Sequence, residues 1–118
     1  MYKLTHHKNL NPEIWSKYST DKQILMIANE LNRLMNGIKA NLSFRELNFC
    51  MERIFELIDL TTSCQKGSLR KEILRWREIF AENYLLSEKQ LKQSSEEIYK
   101  FYKVLLSLNR ISAQLLPN

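Results

Sequence analysis

The sequence predicts an all-α protein, an antiparallel four-helix bundle preceded by a short extra N-terminal helix. Three observations carry this. Apolar residues recur at spacings of three and four along the chain, and no stretch alternates in twos for long enough to be a strand. Only two Gly and two Pro occur in 118 residues, so loops are scarce. Ser or Thr followed three residues later by Glu or Gln opens successive apolar runs, the mark of capped helix starts.

The elements follow in order. Residues 1–10 carry no helical pattern and are expected to be flexible. Asn11-Pro12-Glu13 reads as an N-cap, a proline at the first helical position and an acid in the first turn, which predicts a short helix over 11–18. Thr20-Asp21-Lys22-Gln23 fits a capping box and predicts a helix over 20–39, with Ile24, Ile27, Leu31, Leu34 and Ile38 on one face. Gly37 is expected to loosen the last turn, since glycine costs about 1 kcal/mol relative to alanine in a helix. Ser43-Phe44-Arg45-Glu46 opens a helix over 43–62 whose inward stripe is Leu47, Met51, Ile54, Leu57 and Ile58. After a turn at Gln65-Lys66-Gly67, Ser68 caps a helix over 68–85 with Leu69, Ile73, Trp76, Phe80 and Tyr84 inward. Ser87-Glu88-Lys89-Gln90 opens the last helix, over 88–115. There Leu91, Ile98 and Leu105 fall at sevens, offset by three from Phe101, Leu108 and Leu115. Short connections make sequential helices antiparallel, and the apolar stripes face inward. The chain reads as one domain, 1–118, and the end of its long last helix offers an oligomer surface.

Composition removes several classes. Hydrophobic residues make up 44%, too many for a disordered chain. No run of 18 apolar residues occurs, so no membrane span is expected. Met1-Tyr2-Lys3-Leu4-Thr5-His6-His7 lacks the apolar stretch of a signal peptide, which makes the cytoplasm the default location. Cys50 and Cys64 are fourteen apart and read as free thiols, Cys50 as a small hydrophobe. A metal site from Cys50, Cys64, His6 and His7 does not fit usual ligand spacings, and no cofactor is expected.

Enzymatic readings find little to rest on. Both histidines are at 6 and 7, outside the predicted core, and read as exposed terminal residues. Nucleophile elbow, phosphate loop, dinucleotide fingerprint and zinc-helix motifs are all missing. No catalytic residue and no small-molecule substrate is expected.

Polar patterning inside the helices is more informative. Glu30 and Arg33 are an i,i+3 pair. Glu52, Glu56 and Asp59 make an acidic stripe on the second long helix, with Arg53 beside it. Arg75 and Glu78 share a face of the third. These residues read either as surface decoration, worth about 0–1 kcal/mol per pair, or as a half-buried network that fixes the register of adjacent helices. Net charge is +5, divided as +1 over residues 1–65 and +4 over 66–118. Arg70, Arg77, Lys100, Lys103 and Arg110 are therefore candidate phosphate contacts, although basic helix ends also complement their own dipoles. Trp15, with Tyr18, is either a lid on the bundle or an exposed partner anchor.

Three stretches carry a resemblance: Glu30 to Arg33, Glu52-Arg53-Ile54-Phe55-Glu56-Leu57-Ile58-Asp59-Leu60-Thr61, and Arg70-Lys71-Glu72-Ile73-Leu74-Arg75-Trp76-Arg77-Glu78. In this order they resemble a set of small uncharacterised bacterial all-helical proteins over residues 15–110. The resemblance implies that these polar positions matter as a set. Size, helix number, basic charge and Leu86-Ser87-Glu88-Lys89-Gln90 are similar to another group. It comprises the four-helix-bundle proteins inserted in some ribosomal RNA genes and the related accessory variability proteins of diversity-generating retroelements. That likeness implies oligomerisation and binding to reverse transcriptase and nucleic acid. The expected function is thus non-catalytic, through a protein partner or a homo-oligomer; the alternative is a nucleic-acid-associated accessory protein.

Overall fold

A computed structural model describes residues 7–84 and 88–108. Expectations for His6, Arg110, Leu115 and the cap at Ser87 lie outside the described residues, as does the side chain of Tyr84. The described chain is all-helical, without strands. Its elements are α1 (Pro12–Ser16), α2 (Thr20–Lys39), α3 (Phe44–Cys64), α4 (Gly67–Tyr84), α5 (Glu88–Lys92) and α6 (Ser95–Ser107).

The helix starts follow from local chemistry. The Asn11 side chain accepts from the Ile14 amide, with Pro12 at the first helical position. Ser43 does the same for the Glu46 amide at 3.2 Å. The cap of α2 is Ser19 rather than Thr20, accepting from the Lys22 amide at 3.1 Å. Freed from capping, Thr20 faces Gln65, the C-cap of α3, which donates to its hydroxyl at 3.2 Å. Helix α2 ends with Asn41 at a φ of 58°. There the Leu42 amide reaches the Gly37 carbonyl and the Asn41 amide the Ile38 carbonyl, a Schellman closure. Gly37 therefore does not loosen the helix. A Cβ at this buried position would stand 3.0 Å from Leu42 Cδ1 and 3.2 Å from Leu47 Cδ2, so the glycine lets the turn and α3 close in.

The inward stripes are buried as the periodicity predicts. Ile24, Ile27, Leu31, Leu34 and Ile38 of α2 meet Leu47, Met51, Ile54, Leu57 and Ile58 of α3, all at 8% exposure or less. Each such aliphatic side chain contributes about 1.5–3 kcal/mol by leaving water. Helix α2 also packs on α6, α3 on α4 and on α1, and α4 on α6. An aromatic group fills the α4–α6 end of the core. Trp76 stacks on Phe80 at 5.0 Å, Phe101 stands edge-on to both, and Trp76 Nε1 donates to the Phe101 carbonyl at 3.1 Å.

The last helix is not continuous over 88–115. It breaks between Lys92 and Ser95, where the Gln93 and Ser94 amides turn back three residues, onto Gln90 and Leu91. Buried Ser94 also donates its hydroxyl to the Leu91 carbonyl at 2.6 Å, competing with the helical ladder. Leu91 and Ile98 are both buried but belong to two helices, not one heptad seam.

Candidate functional site

Three groupings of side chains are candidates for function. The first is a polar cluster between the N-terminal segment, α2 and α3. Arg53 donates from Nε and Nη2 to the two carboxylate oxygens of Glu30, at 3.1 and 2.9 Å. Arg33 Nη1 lies 3.8 Å from the same carboxylate. Glu30 is buried within the apolar face of α2, so its charge needs this forked partner. The hydrogen bond to Glu30 in turn raises the Arg53 pKa, with burial acting the other way. Burial, followed by the charge of Glu30, raises the Cys50 thiol, which keeps this residue an inert hydrophobe.

His7 completes the cluster and corrects an expectation. It is not an exposed terminal residue: its side chain is 11% exposed, with Nε2 3.9 Å from Glu30 and Nδ1 3.7 Å from Glu56. Its backbone amide donates to Glu56 Oε1 at 3.3 Å. Neither ring distance is a hydrogen bond, and buried Nδ1 has no hydrogen-bond partner. Desolvation, helped by Arg53, lowers the imidazole pKa, while Glu56 and Glu30 oppose the change. No group of three His, Cys, Asp or Glu side chains among the described residues is placed to hold a metal ion.

Of the other residues expected in the polar network, Glu52 is half-buried on α3. Asp59 meets α4, but through Arg77 at 2.8 Å and not through Arg75. Arg77 also lies over the Phe55 ring at 5.1 Å. Arg75 and Glu78 are exposed on α4. The network thus joins α2 to α3 and α3 to α4 at two separate points.

A second grouping surrounds Trp15, which is completely buried. Its Nε1 donates to Thr61 Oγ1 at 3.0 Å, and Thr61 donates on to the Leu57 carbonyl at 2.8 Å. Gln23 Nε2 donates to the Trp15 and Tyr18 carbonyls, and Gln65 donates to Gln23 Oε1 at 3.0 Å. Gln23 is a buried clamp, not the capping residue expected. The reading of Trp15 as an exposed anchor is corrected: a ring without accessible surface has nothing to offer a partner, and it closes α1 onto α3. Tyr18 is half-buried, edge-on to Trp15 at 5.5 Å and covered by Lys22.

The candidate phosphate contacts are scattered. Arg70 donates to the Thr62 carbonyl, capping α3, and Arg77 is held by Asp59. Lys100 is 68% exposed and 3.6 Å from Glu97. Lys103 lies over exposed Tyr99, which stacks on Tyr102 at 6.1 Å.

The third grouping was not legible as a site. Between α4 and α6 lies a groove of about 260 Å³ whose lining includes Trp76 and Phe101. Ile79 and Val104 on its walls are 48% and 50% exposed. Glu72 and Arg75 edge it on α4, and Glu97 and Lys100 on α6. No known protein family, curated protein or solved structure matches the chain.

Proposed function

We propose that this chain is a non-catalytic helical-bundle protein that acts by binding another protein, and that the α4–α6 groove is the surface it uses. The observation that carries this is Ile79 and Val104, two large aliphatic side chains left half in water in a groove lined also by Trp76 and Phe101. Apolar residues gathered in a groove with a charged rim are the usual form of an interaction site. The carboxylates, by contrast, are engaged in holding helices together, Glu30 by Arg53 and Asp59 by Arg77. The successive contacts α2–α3, α3–α4, α4–α6 and α6–α2 support an antiparallel four-helix arrangement with α1 as its lid. Free thiols at Cys50 and Cys64 fit a reducing, cytoplasmic setting. No described helix is long and apolar enough to cross a membrane. Kinship with the small bacterial helical proteins is proposed on the three sequence stretches alone; in this chain Glu30 of the first meets Arg53 of the second, and Asp59 of the second meets Arg77 of the third.

A photo-crosslinking side chain at position 79, introduced in living cells, tests the reading. The expected result is a protein adduct that Val104→Glu abolishes. No adduct would contradict it.

A second reading, an accessory protein for nucleic acid or a reverse transcriptase, has one observation in its favour: exposed Tyr99, stacked on half-buried Tyr102 and with Lys103 over its ring, a surface on which an unpaired base can stack. Binding of labelled single-stranded RNA that weakens steeply with salt would support it.

A further inference from the structure

We infer that residues 7–10 are a proton-operated latch: protonation of His7 releases this segment from α2 and α3 while α1 and the bundle stay in place. The segment is a turn, closed by the Leu10 amide donating to the His7 carbonyl at 3.0 Å. Lys8 and Asn9 at its tip are exposed, so within it His7 and half-buried Leu10 make the contact with the bundle. Helix α1 has anchors of its own. Trp15 donates to Thr61, Gln23 holds the Trp15 and Tyr18 carbonyls, and the Cys64 thiol donates to the Pro12 carbonyl at 3.5 Å. The stretch ahead of Asn11 can therefore leave without α1, a local opening that costs far less than unfolding.

The groups facing His7 decide what a proton does there. Glu30 comes from α2, and Arg53 and Glu56 come from α3; Arg33 of α2 stands 3.8 Å from Glu30. Among the described residues, two guanidiniums thus stand against two carboxylates, and a proton on His7 adds a positive charge that is uncompensated and largely out of water. An imidazolium donates from both ring nitrogens. The Glu30 oxygen 3.9 Å from Nε2 already accepts from Arg53, and the Glu56 oxygen 3.7 Å from Nδ1 already accepts from the His7 amide. Buried Nδ1 has no partner within hydrogen-bond distance, so a proton there makes an unsatisfied buried donor. Desolvation, and after it Arg53, accordingly holds the imidazole pKa below the ordinary 6.5, against Glu56 and Glu30. A released ring is hydrated and takes its proton at the ordinary pKa. Protonation therefore favours release, and the latch opens as pH falls below about 6.5 toward the docked value.

Nuclear magnetic resonance of the full chain between about pH 7.5 and 5 tests the inference. The His7 ring, assigned by the loss of its signal in His7→Gln, is expected to titrate below 6.5. Over the same range the protection of the His7 and Leu10 amides against hydrogen exchange should fall, by up to about tenfold per pH unit. The Trp15 indole proton should keep its shift and its protection throughout. In His7→Gln the Leu10 protection should be independent of pH, whatever its level. A ring that titrates above 6.5 overturns the inference, because the carboxylates then bind the cation in place. So do amides that stay protected around a protonated ring, a Trp15 indole that opens together with the segment, or the same pH response in His7→Gln.

Discussion

Arg53 of α3 holds Glu30 of α2 through two parallel hydrogen bonds of 2.9 and 3.1 Å, across the most extensively packed pair of helices in the molecule. Removing one member leaves the other charge without its partner. Glu30→Gln is expected to lower stability by about 1–3 kcal/mol, less than for a fully buried pair because Arg53 keeps some contact with water. A double-mutant cycle with Arg53→Met, read by urea denaturation, should show strong coupling between the two. Additive losses would show that the pair contributes nothing as a pair.

The Trp15 indole depends on a single hydroxyl. Thr61→Val keeps the shape but leaves buried Nε1 without an acceptor, at an expected cost of about 1–3 kcal/mol. The same substitution should change tryptophan fluorescence in the native state. An unchanged unfolding midpoint would mean that α1 is not held as described.

Gly37 is where the end of α2, Leu42 and Leu47 meet. A valine there adds methyl groups to a space in which Cβ alone already stands 3.0 Å from Leu42. Gly37→Val should destabilise the protein by about 1–3 kcal/mol through overpacking, although glycine is the poorer helix former. Thermal unfolding checks this, and a raised melting temperature would contradict it.

His7 makes stability depend on pH in a definite direction. Its folded pKa lies below the ordinary 6.5, so between that value and 6.5 the unfolded chain binds more protons. Stability from this group is therefore full above about pH 6.5 and falls as pH drops toward the folded pKa. Desolvation, and after it Arg53, opposes protonation, while Glu56 and Glu30 favour it. Denaturation at pH 7.5 and 5.5 should show a loss that is reduced in His7→Gln. Equal losses in the two proteins would place the titration elsewhere.

The apolar stripes of α2 and α3 were legible in the sequence because a 3.6-residue period reports burial directly. Glu30 was legible in part: it flanks the apolar stripe, three residues after Ile27 and next to Leu31, and pairs at i,i+3 with Arg33. What a single helix cannot reveal is which residue of its neighbour it meets. Arg75 and Arg77 are two positions apart yet face different ways, and only the packing of α4 on α3 selects Arg77 for Asp59. The break at Ser94 was hidden because Ser94 keeps the heptad register of Phe101 and Leu108, and the register does not report that its hydroxyl turns to the Leu91 carbonyl. His7 precedes any periodic segment, so its burial against α2 and α3 left no local signal. The groove is formed jointly by residues of α4 and α6, a tertiary property that neither stripe encodes.

On the proposed function, the α4–α6 groove is covered when the protein works. Thiol alkylation of a Val104→Cys variant tests it most directly, with Lys39→Cys, exposed on α2, as the reference. In dilute purified protein both new thiols should react at similar rates. In intact cells the thiol at 104 should be protected several-fold while that at 39 is not. Equal reactivity at the two positions in cells would contradict the account.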